Sequence, residues 1–84
     1  MVCTGNICRS PTAHGVLEKM VADAGLQHLV QVDSAGTHGY HVGEAPDPRT
    51  QRAAAARHYD LSQLRARKVA YQDLDYFDLI LAMD

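Results

Sequence analysis

Near the start of the chain, a cysteine, an arginine and a serine stand at a spacing that suits chemistry on a phosphate group. Cys3 and Arg9 are separated by five residues, and Ser10 follows the arginine directly. A cysteine thiolate is a strong nucleophile, and the planar guanidinium of arginine can bind two oxygens of a phosphate at once. The Ser10 hydroxyl can donate a hydrogen bond to the sulfur, which favours the thiolate. Together these residues predict phosphoryl transfer through a cysteinyl-phosphate intermediate.

The residues after Ser10 predict an amphipathic helix that starts where this segment ends. Ser10 suits the N-cap, Pro11 the first helical position and Gly25 the C-terminal stop. A loop that enters a helix here directs backbone N–H groups and the positive end of the helix dipole at one point. We therefore expect an anion at that point and a lowered pKa for the Cys3 thiol. The apolar residues recur at helical spacing, at Ala13, Val16, Leu17, Met20, Val21 and Ala24.

The segment between Cys3 and Arg9 is suited to wrap around an anion. Gly5 allows the backbone to approach a ligand closely, and Asn6 is one of the few residues that tolerate a left-handed φ. We expect the backbone of this loop to bind the phosphate. The predicted phosphate-binding residues are Thr4, Gly5, Asn6, Ile7, Cys8 and Arg9.

The string from Val2 to Pro11 resembles the phosphate-binding loop of the low-molecular-weight protein tyrosine phosphatases. Several unrelated phosphatase families share the pattern of a cysteine, five residues, an arginine and a serine. The full string from Val2 to Pro11 is more specific. The resemblance implies a phosphotyrosine-protein phosphatase with Cys3, Arg9 and Ser10 as catalytic residues, acting on a phosphotyrosine protein or a small aryl phosphate. Further stretches agree with the family, in order along the whole chain: Asp33–Gly36, Gly43–Arg49, Arg65–Arg67 and Asp78–Asp84.

The resemblance also assigns roles outside the loop. It implies that Ser34 hydrogen-bonds Asn6 and supports its backbone, although Ser34 also fits an ordinary turn at the end of a strand. It places Tyr40 against the substrate ring, where an aromatic wall would select phosphotyrosine over phosphoserine; otherwise Tyr40 is a loop tyrosine packed on the surface. Cys8 either packs in the interior or captures an oxidised Cys3 as a reversible disulfide.

Strand and helix signals alternate along the rest of the chain and predict an α/β fold with a parallel sheet. Residues 29–36 predict a strand, Asp47-Pro48 starts a helix that runs to about Tyr59, and residues 72–77 predict one helical turn. Residues 78–84 predict a strand buried on both faces. The resemblance implies a doubly wound, flavodoxin-like sheet of strand order 2-1-3-4. We expect residues 1–84 to form a partial phosphatase domain, truncated at both ends.

The resemblance further implies a general acid that this sequence does not supply. The family protonates the leaving tyrosyl oxygen with an aspartate in an Asp-Pro loop beyond the third strand, and the sequence ends at Asp84, before that loop. Asp47-Pro48 matches a different family position, where we expect it to cap a helix. Because losing an acid catalyst costs about 10²–10⁴ in rate, we expect impaired activity on phosphotyrosine.

Composition and charge narrow the function classes. The 84 residues carry a net charge of −2 and are 21% charged, which is typical of a small globular domain. There is no basic excess for nucleic acid and no apolar span for a membrane. His38 and His41 lack a nearby cysteine or carboxylate at ligand spacing, so we predict no metal, and we expect no cofactor. The basic run Arg65–Lys68 is either a solvated face or a rim that attracts an anionic substrate.

Compartment and assembly follow from the cysteines and the predicted sheet edges. No signal peptide precedes the motif, so we expect a cytoplasmic protein with Cys3 and Cys8 as free thiols. The open edges of the predicted sheet predict a homodimer or a swap of segments between copies.

Two alternative functions stay open. An arsenate reductase of the same fold would need further cysteines downstream, and a non-catalytic phosphate- or phosphopeptide-binding fragment would need no acid.

Overall fold

The computed structural model describes residues 1–83, and these residues form two short strands and three helices. Asp84, the last residue of the predicted third strand, lies outside the described residues. No helix among the described residues is long and apolar enough to cross a membrane. In chain order the elements are β1 (Val2–Cys3), α1 (Arg9–Asp23), β2 (Ala35–Gly36), α2 (Pro48–Ala55) and α3 (Tyr71–Tyr76).

The sheet is parallel and confirms the predicted α/β class. β1 and β2 pair with Val2 opposite Ala35 and Cys3 opposite Gly36. On their outer sides, Val2 forms a parallel bridge to Ala82 and Gly36 forms one to Lys68. The neighbours of β1 are therefore β2 and the segment around Ala82, which agrees with the 2-1-3 part of the implied order. The implied fourth strand has no counterpart within residues 1–83.

Helix α1 starts two residues earlier than predicted. Arg9 is its first residue and Cys8 occupies the N-cap without a side-chain capping bond, so Ser10 lies inside the helix and is not its cap. The Ser10 hydroxyl instead turns inward to Cys3. The end of the helix agrees with the prediction, since Gly25 follows it with a φ of 72°.

The predicted strand over residues 29–36 is much shorter in the structure. Only Ala35–Gly36 pairs with β1, and the side chain of Leu29 is 72% exposed. The amides of Leu29 and Val30 both bond back to the carbonyl of Leu26, so these residues continue a turn after α1. β-branched residues alone cannot form a strand where no partner strand accepts their backbone bonds.

The predicted burial of residues 78–84 is wrong for the part that the structure describes. Val2 donates to Leu81 and accepts from Met83, so one edge of this segment is paired. Its apolar side chains are nevertheless exposed, because none of the elements within residues 1–83 covers its two faces. The exposed side chains are Leu79, Ile80 and Leu81.

The helix after Asp47 begins as predicted and ends early. The Asp47 carboxylate accepts from the amides of Arg49 and Thr50, at 2.8 and 3.3 Å, which is N-cap geometry. α2 ends at Ala55 and not near Tyr59, and His58 has a φ of 68° in the turn that follows. Helix α3 confirms the predicted helical turn.

The small apolar core lies between α1, the two strands and the loops after α2. Leu61 is its most buried large side chain, at 1% exposure, and lies against Gly15 on α1. A side chain at position 15 would overlap Leu61, so glycine allows the close approach. The other buried apolar residues are Cys3, Val21, Ala35, Ala54 and Ala66.

A candidate active site around Cys3

Cys3 lies at the carboxyl end of β1 with its sulfur surrounded by hydrogen-bonding groups. The Sγ atom is 3.0 Å from Ser10 Oγ and accepts from the backbone N–H of Asn6 at 3.3 Å. The residue is 7% exposed. Burial by itself raises the pKa of the thiol, but hydrogen bonds from the Ser10 hydroxyl and from the backbone of Ser10, Asn6 and Gly5 outweigh it. The pKa of Cys3 is therefore lowered, in the direction that the sequence predicted.

Asn6 holds the loop in the left-handed conformation that the sequence predicted. Its φ is 59°, and its side chain is 2% exposed. The amide Nδ2 donates to Ser10 Oγ at 2.7 Å, and Oδ1 accepts from the backbone N–H of Arg67 at 3.0 Å. One side chain therefore connects the loop, helix α1 and the segment that precedes α3.

The Ser10 hydroxyl has a single proton and two acceptors within reach. It accepts from Asn6, lies 3.0 Å from Cys3 Sγ and lies 3.5 Å from the carbonyl oxygen of Ala35. When Cys3 is a thiolate, the sulfur is the closer acceptor and carries the charge, so the hydroxyl donates to it. When the thiol is protonated, the hydroxyl can accept from S–H and donate to Ala35. The Ser10 hydroxyl can thus hydrogen-bond the Cys3 sulfur both as a thiolate and as a protonated thiol.

The structure places the Ser34 hydroxyl on a partner that the sequence did not predict. The resemblance implied a bond to Asn6, but Ser34 Oγ is 2.8 Å from His14 Nδ1, while the Asn6 side chain bonds Ser10 and Arg67. No sequence motif indicated a role for His14, yet this histidine is 7% exposed. Its position four residues after Ser10 puts both side chains on one helix face, which is the signal that could have identified it.

The carbonyl oxygens of the loop are bound by amides of neighbouring segments. Thr37 donates to the Cys3 carbonyl, His38 to the Thr4 carbonyl and Asp47 to the Ile7 carbonyl. A carbonyl directed at an anion would repel it, so occupying these oxygens elsewhere favours anion binding.

Gly36 lets the loop lie directly against β2. A Cβ at this position would be 2.8 Å from the carbonyl oxygen of Thr4 and 3.1 Å from the carbonyl carbon of Gly5. Both atoms belong to the backbone and cannot rotate away. The packing of the loop on β2 therefore requires glycine here.

Arg9 and Cys8 both lie at the exposed start of α1. Arg9 is on the first turn of α1, and this end of a helix attracts anions. The binding of phosphate by Arg9 stays a prediction. Cys8 is exposed, so the interior-packing alternative is wrong for this residue. Both cysteines are free thiols, and the predicted capture of an oxidised Cys3 by Cys8 stays untested.

The loop after β2 carries the aromatic residue that the resemblance singled out. Tyr40 is 72% exposed and stacks on His38, with ring centroids 5.0 Å apart and planes 18° from parallel. His41 is half-buried against Gly5 and pairs with Glu44 at 2.6 Å. Within residues 1–83, no group of three histidine, cysteine or carboxylate side chains could hold a metal ion.

Arg67 has a structural position that neither interpretation of the basic run had predicted. Its guanidinium makes two bonds to Asp73, at 2.9 and 3.1 Å, and lies 3.1 Å from Asp33. This guanidinium and the backbone N–H of Ala70 hold the pKa of the Asp73 carboxyl below its usual range. Arg67 thus ties α3 and the segment before β2 to the loop.

Asp47 has the capping role expected of it. Hydrogen bonds from the Arg49 side chain and from the amides of Arg49 and Thr50 lower the pKa of its carboxyl. A carboxylate that stays ionised is a poor proton donor, which agrees with leaving Asp47 out of the catalytic residues.

Comparisons with known proteins agree along the whole chain. A family model described as low molecular weight phosphotyrosine protein phosphatase matches residues 1–84. A low molecular weight protein-tyrosine-phosphatase of Streptomyces coelicolor is 51% identical over 83 residues, covering 99% of this chain and 50% of that protein.

Solved structures give the same result for the fold. The crystal structure of YfkJ from Bacillus subtilis superposes with a TM-score of 0.94 at 43% identity, covering 99% of this chain and 52% of that one. Vibrio vulnificus Wzb, solved in complex with benzylphosphonate, gives a TM-score of 0.86 at 30% identity, covering 99% of this chain and 55% of that one. The chain spans about half the length of the relatives it matches.

Proposed function

The chain belongs to the low molecular weight phosphotyrosine protein phosphatase family, and on that premise we propose that its site hydrolyses phosphotyrosine through a cysteinyl-phosphate. Cys3 is the nucleophile, Arg9 binds the phosphate oxygens, and the loop from Thr4 to Cys8 supplies backbone donors. The observation that carries this proposal is the Cys3 sulfur, which lies within hydrogen-bonding distance of Ser10 Oγ and of the Asn6 amide. Those contacts maintain the thiolate that attack on phosphorus requires.

The reaction proceeds in two displacements at phosphorus. The Cys3 thiolate attacks, an S–P bond forms, and the bond from phosphorus to the tyrosyl oxygen breaks. Water then attacks the cysteinyl-phosphate, which releases phosphate and returns the thiolate, and the Ser10 hydroxyl stabilises that departing sulfur. We assign no general acid within residues 1–83. An activated aryl phosphate, whose leaving oxygen needs no proton, depends least on such an acid.

The aromatic residue beside the loop supports an aryl phosphate as the substrate class. Tyr40 is exposed and its orientation is set by stacking on His38, so its ring can contact a substrate ring. The related Wzb was crystallised with an aryl phosphonate, benzylphosphonate. A phosphotyrosine protein presents the same chemical group.

The decisive experiment traps the covalent intermediate on the chain. Acid quenching during turnover of para-nitrophenyl phosphate, followed by intact-mass measurement, should show one added phosphoryl group. Cys3→Ser should abolish both the adduct and turnover, whereas the matched Cys8→Ser should retain them. Turnover without Cys3 would refute the proposal, and oxyanion binding without any adduct would favour the non-catalytic alternative. Loss of both thiols on addition of arsenate would favour the reductase.

The exposed apolar face supports association with a second copy of the chain. Several large apolar side chains on this face line one shared groove, and an exposed apolar patch typically marks an interaction surface. The apolar side chains concerned are Leu29, Val30, Leu79, Ile80 and Leu81.

This association has a direct test in solution. Sedimentation velocity at rising concentration should show a dimer, through face-to-face contact or a swap of segments, and Leu79→Lys should weaken it. Val42→Lys, which changes another exposed apolar residue, in the loop after β2, is the matched control. A monomer at all concentrations would contradict the association.

We also propose a cytoplasmic location, because a thiolate nucleophile with a second free thiol close by in sequence requires a reducing compartment.

A further inference from the structure

A buried histidine on α1 has polar partners on both sides of its ring. His14 lies one helical turn after Ser10 and is 7% exposed. Its Nδ1 atom is 2.8 Å from Ser34 Oγ, and its Nε2 atom is 3.3 Å from the carboxylate of Glu18. Neither the family resemblance nor the proposed chemistry gives this residue a role.

The chemistry of the two partners fixes the direction of these hydrogen bonds. An ionised carboxylate can only accept, so Nε2 donates its proton to Glu18. In a neutral ring the other nitrogen, Nδ1, is then an acceptor, and the Ser34 hydroxyl must donate to it. Glu18 thereby selects the tautomer that accepts from Ser34. The Ser34 side chain is buried, so this acceptor spares it the cost of an unsatisfied hydroxyl.

The His14 contact lies next to the contact that controls the nucleophile. Ser10 and His14 occupy successive turns of α1, and they contact successive residues, the Ala35 carbonyl and the Ser34 hydroxyl. Ala35 is the first residue of β2, which pairs with the strand that carries Cys3. The distance between Ser10 Oγ and Cys3 Sγ therefore depends on where α1 lies relative to this end of β2.

We propose that His14 is a positioning residue for the Cys3 nucleophile: by accepting the Ser34 proton it fixes α1 against β2 and so holds the Ser10 hydroxyl on the Cys3 sulfur. The inference rests on the proposed role of Cys3. The inference assigns a positioning role to His14, whose side chain contacts neither the Cys3 sulfur nor the phosphate site.

The test measures the reactivity of the thiol and not turnover. In a Cys8→Ser background, the rate of iodoacetamide alkylation of Cys3 is followed against pH. His14→Asn keeps an oxygen close to the position of Nδ1, and His14→Gln places its amide near Nε2 and loses the Ser34 contact. We expect His14→Gln to move the midpoint of the profile upward and to slow alkylation at pH 6 by roughly two- to tenfold, the worth of one hydrogen bond. His14→Asn should restore the wild-type profile.

A reciprocal variant and a charge control complete the design. Ser34→Ala removes the same contact from the other side, so it should give the same shift, and combining it with His14→Gln should add nothing further. It also supplies the test if His14→Gln does not fold, as judged by circular dichroism. Glu18→Gln removes a charge but keeps an acceptor for Nε2, and its profile should match the wild type.

The outcomes separate this inference from the proposed function. A wild-type Cys3 that reacts like free cysteine and is not protected by vanadate would refute the proposed function itself. A reactive, protected wild type whose profile is unchanged in His14→Gln and Ser34→Ala would overturn only the positioning role. A shift in His14→Asn or in Glu18→Gln as large as that in His14→Gln would also overturn it, since the Nδ1 contact would then not be the cause.

Discussion

Ser10 is the residue on which the ionisation of the nucleophile depends most directly. Its hydroxyl is fully buried, accepts from Asn6 and lies 3.0 Å from the Cys3 sulfur. A hydrogen bond to a charged acceptor in such a site is worth more than one between neutral groups. The helix places this donor and requires no capping bond from it, because the N-cap is Cys8.

Replacing Ser10 by alanine tests this dependence. Because the hydroxyl is one of the groups that lower the pKa of Cys3, Ser10→Ala should raise that pKa and slow alkylation at pH 6 by about tenfold. Above the pKa of both forms the two rates should converge. Thr12→Ala removes a hydroxyl on the same helix that bonds the Cys8 carbonyl, and should leave the profile unchanged. Equal slowing in both variants would contradict the role of Ser10.

At the scale of single residues, the sequence predicted contacts of the site where the two partners are close in the chain. Cys3, Asn6 and Ser10 lie within eight residues, and the sequence predicted the contact of Ser10 with the Cys3 sulfur and the left-handed φ of Asn6. The bonds from Ser34 to His14 and from Arg67 to Asn6 span 20 and 61 residues. No local pattern encodes such pairs, because they depend on how whole elements pack.

Among the elements, helix signals gave better predictions than strand signals. The cap of α2 is carried by Asp47 and Pro48 themselves, so its start was predictable. A strand needs a hydrogen-bonding neighbour, and the amides of Leu29 and Val30 instead bond the Leu26 carbonyl in a turn. Burial of residues 78–83 likewise depends on what covers their faces, which their own apolar character does not determine.

The ion pair between Arg67 and Asp73 connects helix α3 to the site and makes this attachment dependent on pH. The pKa of Asp73 is lowered, chiefly by the Arg67 guanidinium. A lowered folded-state pKa gives stability that is complete above the unfolded value of about 3.9 and is lost as the pH falls through the folded value. Asp73→Asn should therefore be less stable than the wild type at neutral pH, and the difference should shrink below about pH 4.

Urea unfolding of both proteins from pH 7 to pH 3 measures this difference. Asp75→Asn, on the same helix and exposed, is the control and should follow the wild type more closely. A difference between Asp73→Asn and the wild type that grows as the pH falls would contradict the assignment, because it has the wrong sign.

For the whole molecule, an anion at the site should act as a stabilising ligand. The loop, α1 and β2 all contribute groups to the site, so binding opposes global unfolding. Vanadate at 100 times its dissociation constant stabilises by about 2.7 kcal/mol, which for a domain of this size raises Tm by roughly 10 °C or more.

Thermal unfolding with and without vanadate, at matched ionic strength, checks this expectation. Arg9→Ala should lose most of the shift, and Arg57→Ala, which removes an exposed arginine beyond α2, should keep it. An equal shift in all three proteins would indicate general salt effects and not a site.

The bond from the Arg67 amide to Asn6 has a consequence for biosynthesis. The thiol lies at the third residue, but the side chain that shapes its loop is held from position 67. We expect the Cys3 thiol to stay close to the reactivity of free cysteine until position 67 has been synthesised and has packed against the loop. Chemistry on the nascent polypeptide would then be delayed by the connectivity of the fold.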